Sequence, residues 1–209
     1  MPGILLAIGY ASLFLYLIHR SRFFHVSGVP DRWVMAVFML KVMAGTALWA
    51  LYTYVIVDRP NADIYRYFDD SAVMYSALKT SPGDYLRMLT GIGNDSPHFD
   101  SLYYRVMNNW YRKYESNMYN DAHTIIRFNA LVRLFSFGHI HVHTVFAAFL
   151  AFVGSIGLVK AMGGLFPRLV KPLFLAVFMI PSVLFWSSGV IKETFLMFAL
   201  GLLIWLVFS

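Results

Sequence analysis

Residues 33–57 read WVMAVFMLKVMAGTALWALYTYVIV, 25 positions with a single charged side chain, Lys41. A bilayer hydrocarbon core of about 30 Å takes roughly 20 apolar residues in a helix, so this run is long enough to span. Four more stretches are free of charge or nearly so: 2–18, 142–160, 172–188 and 192–208. The first and the last two are short, so their ends reach the headgroup region or tilt little. Residues 2–18 have neither a basic leader nor a small-x-small cleavage site before a soluble domain, and read as a retained anchor. The whole composition agrees, with 59% hydrophobic and 13% charged residues and no cysteine. Ordinary soluble chains have about 45–50% and about 25%. A disordered chain, a disulfide-stapled domain and a thiol-ligated metal protein are excluded. The expected fold is all-α: a polytopic transmembrane helix bundle of about five spans with a large extracytoplasmic loop containing interfacial helices. The chain divides into two N-terminal spans (1–57), the loop (58–141) and three further spans (142–209).

Orientation follows from the bases in the short loops. Arg20, Arg22 and Arg32 lie between the first two spans, and Lys160, Arg168 and Lys171 between the third and fourth. Both loops must share a side, which is expected to be cytoplasmic, with the N-terminus outside and the long loop extracytoplasmic. Lys41, about two turns inside the second span, is close enough to that side to snorkel. The net charge of +6 is then topology and contact with the lipid bilayer, and no basic face is free for nucleic acid.

Nine of the eleven acids fall within residues 58–123. Pro60 and Asn61 break the second span, and Asn61 is a plausible N-cap for a helix running to about Lys79. On it Asp63, Tyr67, Asp70 and Met74 form one stripe, with Asp69 on the neighbouring face. These acids read either as solvated charges at a helix N-terminus or as a reactive cluster. A carboxylate pressed against a low-dielectric surface has a raised pKa that suits a general base. The interleaved tyrosines suit stacking on sugar rings or residence at headgroup depth. A turn at residues 81–84 leads into another short helical piece, and residues 91–120 are polar and aromatic without regular periodicity. Residues 124–137 carry an apolar face (Ile125, Phe128, Leu131, Val132, Phe135) and a polar one, the pattern of an interfacial helix. Its Arg127 and Arg133 meet lipid phosphates or hold a substrate phosphate. His139, His141 and His143 alternate and converge on a metal only in an extended chain, because a helix splays them apart. No metal-ligand residues are assigned.

A second cluster closes the fourth span: Pro181 breaks or kinks the helix, Ser182, Ser187 and Ser188 satisfy the freed backbone, and Lys192 and Glu193 open the fifth span. Such a charged pair is expensive in a membrane unless it faces a cavity. By the topology it faces the same side as Asp63, Asp69 and Asp70.

This layout resembles the GT-C superfamily of polytopic membrane glycosyltransferases, and residues 181–193 are similar to a segment of uncharacterised, Bacteroidetes-like bacterial members. The resemblance rests on residues 63–70, 124–137 and 181–193 and covers roughly 57–193. It implies an inner-membrane enzyme whose donor is a polyprenyl-phosphate-linked sugar. Asp63 would be the general base of an inverting transfer, and Asp69 or Asp70 would position the acceptor or hold a divalent cation. Lys192, with Glu193, Tyr67 and an arginine of residues 124–137, would bind the substrate and neutralise its phosphate. Two features depart from the family: the acidic loop follows the second span, where in many members it follows the first, and the chain stops at five spans, as an N-terminal fragment would. A polysaccharide polymerase of the lipid-linked oligosaccharide pathway and a non-catalytic membrane subunit or scaffold are the competing readings. Oligomeric state is open.

Overall fold

The computed structural model describes residues 2–56, 58–59, 62–111 and 120–208, and every regular element within them is helical. In chain order these are α1 (Pro2–Arg20), α2 (Asp31–Tyr54), α3 (Asp63–Thr80), α4 (Pro82–Thr90), α5 (Pro97–Leu102), α6 (Ala122–Ser136), α7 (Ile140–Leu165), α8 (Val170–Met179), α9 (Pro181–Trp186) and α10 (Lys192–Phe208). Three of them, α1, α2 and α7, are long and apolar enough to cross a membrane. The proposed cap at Asn61 and residues 112–119 lie outside the described residues.

Helix α7 is the axis. It is apolar on all sides, as a helix surrounded by others must be, and buries Ala147, Ala148, Ala151, Phe152, Ile156 and Val159. The phenylalanine rings fix its neighbours. Phe14 of α1 stacks on Phe149 at 4.1 Å, and Phe38 of α2 meets Phe152 edge-on at 5.4 Å. Each such pair adds about 0.5–1.5 kcal/mol beyond area burial. Gly3 lies against His139 and Phe14 against Phe149, so α1 runs parallel to α7. Trp49 touches His141 while Phe38 touches Phe152, so α2 runs antiparallel to it. Glycines set the packing of α10: a Cβ on Gly201 would overlap the Gly154 backbone, and Gly157 faces the Gly201 carbonyl. Small residues of this kind let membrane helices approach backbone to backbone.

Helices α3 to α6 cap the end of the bundle where α2 finishes and α7 begins. Their core is Met74, Tyr85, Met88, Phe99, Tyr104, Trp110, Ile125 and Ile126, pinned by the Tyr85 hydroxyl donating to the Ala130 carbonyl at 3.0 Å. The turn from α6 into α7 passes through two left-handed residues, Phe137 (φ 50°) and Gly138 (φ 82°). Ser136 Oγ accepts the Gly138 N–H there.

The fourth apolar stretch is not one continuous span. Pro181 has no N–H for an i−4 bond and its ring clashes with the preceding turn. Accordingly α8 stops at Met179, Ile180 is extended (ψ 115°), and Pro181 starts the short α9. Ten residues of α8 cover about 15 Å, half of a hydrocarbon core. After α9 the chain runs through residues 187–191, burying Val190 and Ile191 against Leu48, Ile64 and Ala147.

Candidate functional site

Three aspartates close in sequence, Asp63, Asp69 and Asp70, have three different surroundings. Asp63, the first residue of α3, has a side chain 46% exposed and an ion pair of 3.9 Å with Arg66. Arg66 Nε is buried with no partner among the described residues. Asp69 holds Arg59 through two bonds of 2.8 and 3.1 Å on the outer surface, and Arg59 lies over the Tyr65 ring at 4.0 Å. Asp70, 1% exposed, accepts the backbone N–H groups of Asn108 and Asn109, both at 2.7 Å. Burial pushes the Asp70 carboxyl up and these two N–H groups pull it back. Asp69 and Asp70 therefore do not fit a divalent cation. Their oxygens already serve an arginine and a loop, and no group of three His, Asp or Glu is placed to hold a metal among the described residues.

The two arginines of α6 are likewise committed to the protein. Arg127 Nε donates to the Met88 carbonyl at 2.8 Å, near the C-terminal end of α4, where a cation is favoured. Arg133 is buried under α3, donating to Ser71 Oγ (2.7 Å) and the Phe68 carbonyl (2.6 Å) and stacking on the Phe68 ring. Loss of water holds its guanidinium down at about 10, partly offset by Asp69.

The histidines go three ways. His139 packs on Gly3 and His141 on Trp49. His143 Nδ1 donates to Asn129 Oδ1 (2.7 Å), because the Asn129 amide nitrogen already donates to Ile125 O. Its Nε2 then accepts the Ser136 hydroxyl at 2.8 Å. This chain locks α6 onto α7.

The second cluster does come to the capped end. Phe195 of α10 meets Phe128 of α6 edge-on at 5.0 Å, and between these helices lies a cavity of about 410 Å³. Asp121, Thr124, Lys192 and Glu193 form its polar part, and Ile125, Phe195, Leu196 and Ala199 its apolar part. Below it Leu196, Leu200 and Leu203 are exposed along α10. Asp63 is not among the residues that line this cavity, but its field reaches the same phenol, that of Tyr67, as those of Asp121 and Glu193. The buried Tyr67 hydroxyl is pushed up strongly by loss of water, then by Asp63 and Asp121, with Arg66 opposing and Glu193 adding. Charged groups of α3, α10 and Asp121, the residue before α6, thus act on one phenol.

Lys41 does not snorkel. It is 1% exposed and lies ten residues into α2, about 15 Å along the helix. Its ammonium donates to Ser187 Oγ at 2.7 Å and Ser188 Oγ at 3.4 Å. Each serine in turn donates to a carbonyl of α9, Val183 and Leu184 respectively. The hydroxyls thus pass the cation's field to carbonyls at the C-terminal, partially negative end of a helix.

The sequence marks Ser187 and Ser188 as partners of the backbone freed at Pro181, which they are, but not as partners of Lys41, and it does not mark Asp121 as a neighbour of Lys192. Asp121 had one signal, its place directly before an amphipathic helix, while Lys41 and the serines meet only through the fold. Compared with known protein families, curated proteins and solved structures, the chain matches none. What stands, among the described residues, is an all-helical protein with three helices long and apolar enough to cross a membrane.

Proposed function

We propose that the chain acts as a membrane glycosyltransferase that draws a polyprenyl-phosphate-linked sugar from the bilayer into the cavity between α6 and α10. The observation that carries this reading is the cavity's division, with Lys192, Asp121 and Glu193 at one end and an exposed leucine track along α10 at the other. The leucine track suits a polyprenyl tail, and Lys192 is the lining cation that would meet its phosphate. The basic ends of α1 and α7 would face the cytoplasm and the capped end the extracytoplasmic side.

Asp63 is the general base of choice, because Asp69 and Asp70 are bound to other parts of the protein. An acceptor hydroxyl gives its proton to Asp63 while its oxygen attacks the anomeric carbon from the face opposite the phosphate. The carbon–oxygen bond to phosphate breaks, its electron pair leaves with the polyprenyl phosphate, and configuration inverts. The Lys192 ammonium stabilises the charge that develops on the departing phosphate.

The test is transfer of radiolabelled sugar from polyprenyl phosphate by membranes carrying the chain. General-base removal lowers rates about 10²–10⁴-fold, the loss expected for Asp63→Asn. Asp69→Asn should retain activity. Equal turnover by Asp63→Asn and the unaltered chain, with normal insertion of both, would sink the proposal.

A further inference from the structure

The opposite end of the bundle has a cavity of about 490 Å³ between residues 25–28 and the last turns of α7. Lys160 supplies its cation, with the His25 ring beside it, and Val26, Val159 and Val170 form its apolar floor. Added Cβ atoms at Gly28 and Gly164 would meet nothing within 4 Å, so two sides of the rim are open. This end also concentrates charge: Arg20, Arg22, Arg32, Lys160, Arg168 and Lys171 stand against one acid, Asp31.

Among the described residues the Lys160 ammonium is held in place from one side. It donates to the Phe23 carbonyl at 2.9 Å and lies over the Phe23 ring, and Phe23 is backed edge-on by Trp205 of α10. An ammonium has three N–H donors, and the Phe23 bond takes one. Asp31 pairs with His25 at 3.2 Å, on the ring's Nε2. Beside the cavity Leu165, Phe166 and Leu169 are about half exposed, and Pro167 lines both the cavity and that apolar surface.

We propose that this cavity is a binding site for the headgroup of an anionic phospholipid, with the phosphate on Lys160 and an acyl chain over Leu165, Phe166 and Leu169. Basic pockets between membrane helices suit such headgroups, and the adjoining apolar surface distinguishes a lipid from a free phosphate. The site lies at the other end of the molecule from the α6–α10 cavity and does not depend on the glycosyltransferase reading.

Native mass spectrometry of the purified chain in micelles counts bound lipid directly. Phosphatidylglycerol should be retained, while phosphatidylcholine and inorganic phosphate are lost. Lys160→Gln should weaken phosphatidylglycerol binding by about twentyfold, the scale of one charge-assisted hydrogen bond. Lys171→Gln, which alters a base outside the cavity, should weaken it about fivefold or less, as a surface charge does. Lys160→Arg keeps the cation and should bind. Gly164→Leu fills open space without touching charge and should also displace the lipid, which separates occupancy from any misfolding of Lys160→Gln. Equal losses for Lys171→Gln and Lys160→Gln would reduce the site to a diffuse surface field and overturn the proposal. So would retention of phosphatidylcholine, full binding by Gly164→Leu, or inorganic phosphate bound as well as the lipid.

Discussion

Removing the serines that hold Lys41 should harm the protein more than removing Lys41 itself. The ammonium is 1% exposed and has two acceptors, Ser187 Oγ at 2.7 Å and Ser188 Oγ at 3.4 Å. A hydrogen bond to a charged group contributes about 1.5–3 kcal/mol, and the longer bond less. Ser187→Ala with Ser188→Ala leaves the cation buried with no hydroxyl to receive it, which should cost about 3–5 kcal/mol. For a chain of this size that is roughly 6–20 °C in Tm. Lys41→Met acts differently. Both hydroxyls still donate to Val183 and Leu184, so no buried donor is orphaned. Replacing a buried charge by an apolar side chain of similar length is neutral or stabilising by about 1–4 kcal/mol. Adding Lys41→Met to the double serine variant should therefore restore most of what the serines lost. Thermal unfolding of the four proteins in one detergent reads the cycle. Ser187→Ala single and double variants within about 0.5 kcal/mol of the unaltered chain would refute the reasoning. So would Lys41→Met as damaging as the serine pair.

The same unfolding assay should separate the three aspartates. Asp70→Ala removes the acceptor of two 2.7 Å backbone bonds and should cost about 3 kcal/mol, whereas Asp63→Asn should stay within about 0.5 kcal/mol. Gly201→Leu should weaken or abolish the α7–α10 contact, because the first added carbon meets Gly154 backbone atoms that cannot rotate away; a loss of at least about 1–3 kcal/mol is expected. Acid should act through Asp84, whose carboxylate is held below its ordinary 3.8 first by His98 at 2.8 Å, with Ser81 and Tyr103 adding. A depressed carboxylate stabilises the fold above its unfolded pKa. This contribution should fade as pH falls from about 4 through the lower folded value, and Asp84→Asn should flatten that part of the stability profile.

Much of the framework is legible in the sequence. Residues 33–57 and 142–160 announce α2 and α7 because burial in an apolar medium leaves little choice of composition. Residues 124–137 announce α6 because one face of a helix must be apolar and the other not. Pro181 announces a break, since it lacks the N–H a helix needs. What the break accomplishes is not local information. Ser187 is 146 positions from the lysine it receives. The carboxylates mislead for the same reason. Asp63, Asp69 and Asp70 look alike in a string, and their separation into a half-exposed ion pair, a surface clamp and a buried loop anchor depends on Arg59, Arg66, Asn108 and Asn109. Arg127 and Arg133 resemble phosphate ligands until their carbonyl partners on α3 and α4 are seen. Lys192 and Glu193 are expected from the sequence on the side of Asp63, Asp69 and Asp70, and in the structure they line a cavity with Asp121.

Whether the α6–α10 cavity takes a lipid phosphate can be measured without waiting for turnover. A polyprenyl phosphate bearing a diazirine in its first isoprene unit, added to membranes containing the chain and irradiated, marks whatever it touches. Peptide mapping should place the label on residues 124–125 and 195–199. Excess unlabelled polyprenyl phosphate should remove it, and Lys192→Gln should reduce it. Label spread over the lipid-facing sides of α1 and α2, untouched by competitor and unchanged in Lys192→Gln, would contradict the assignment.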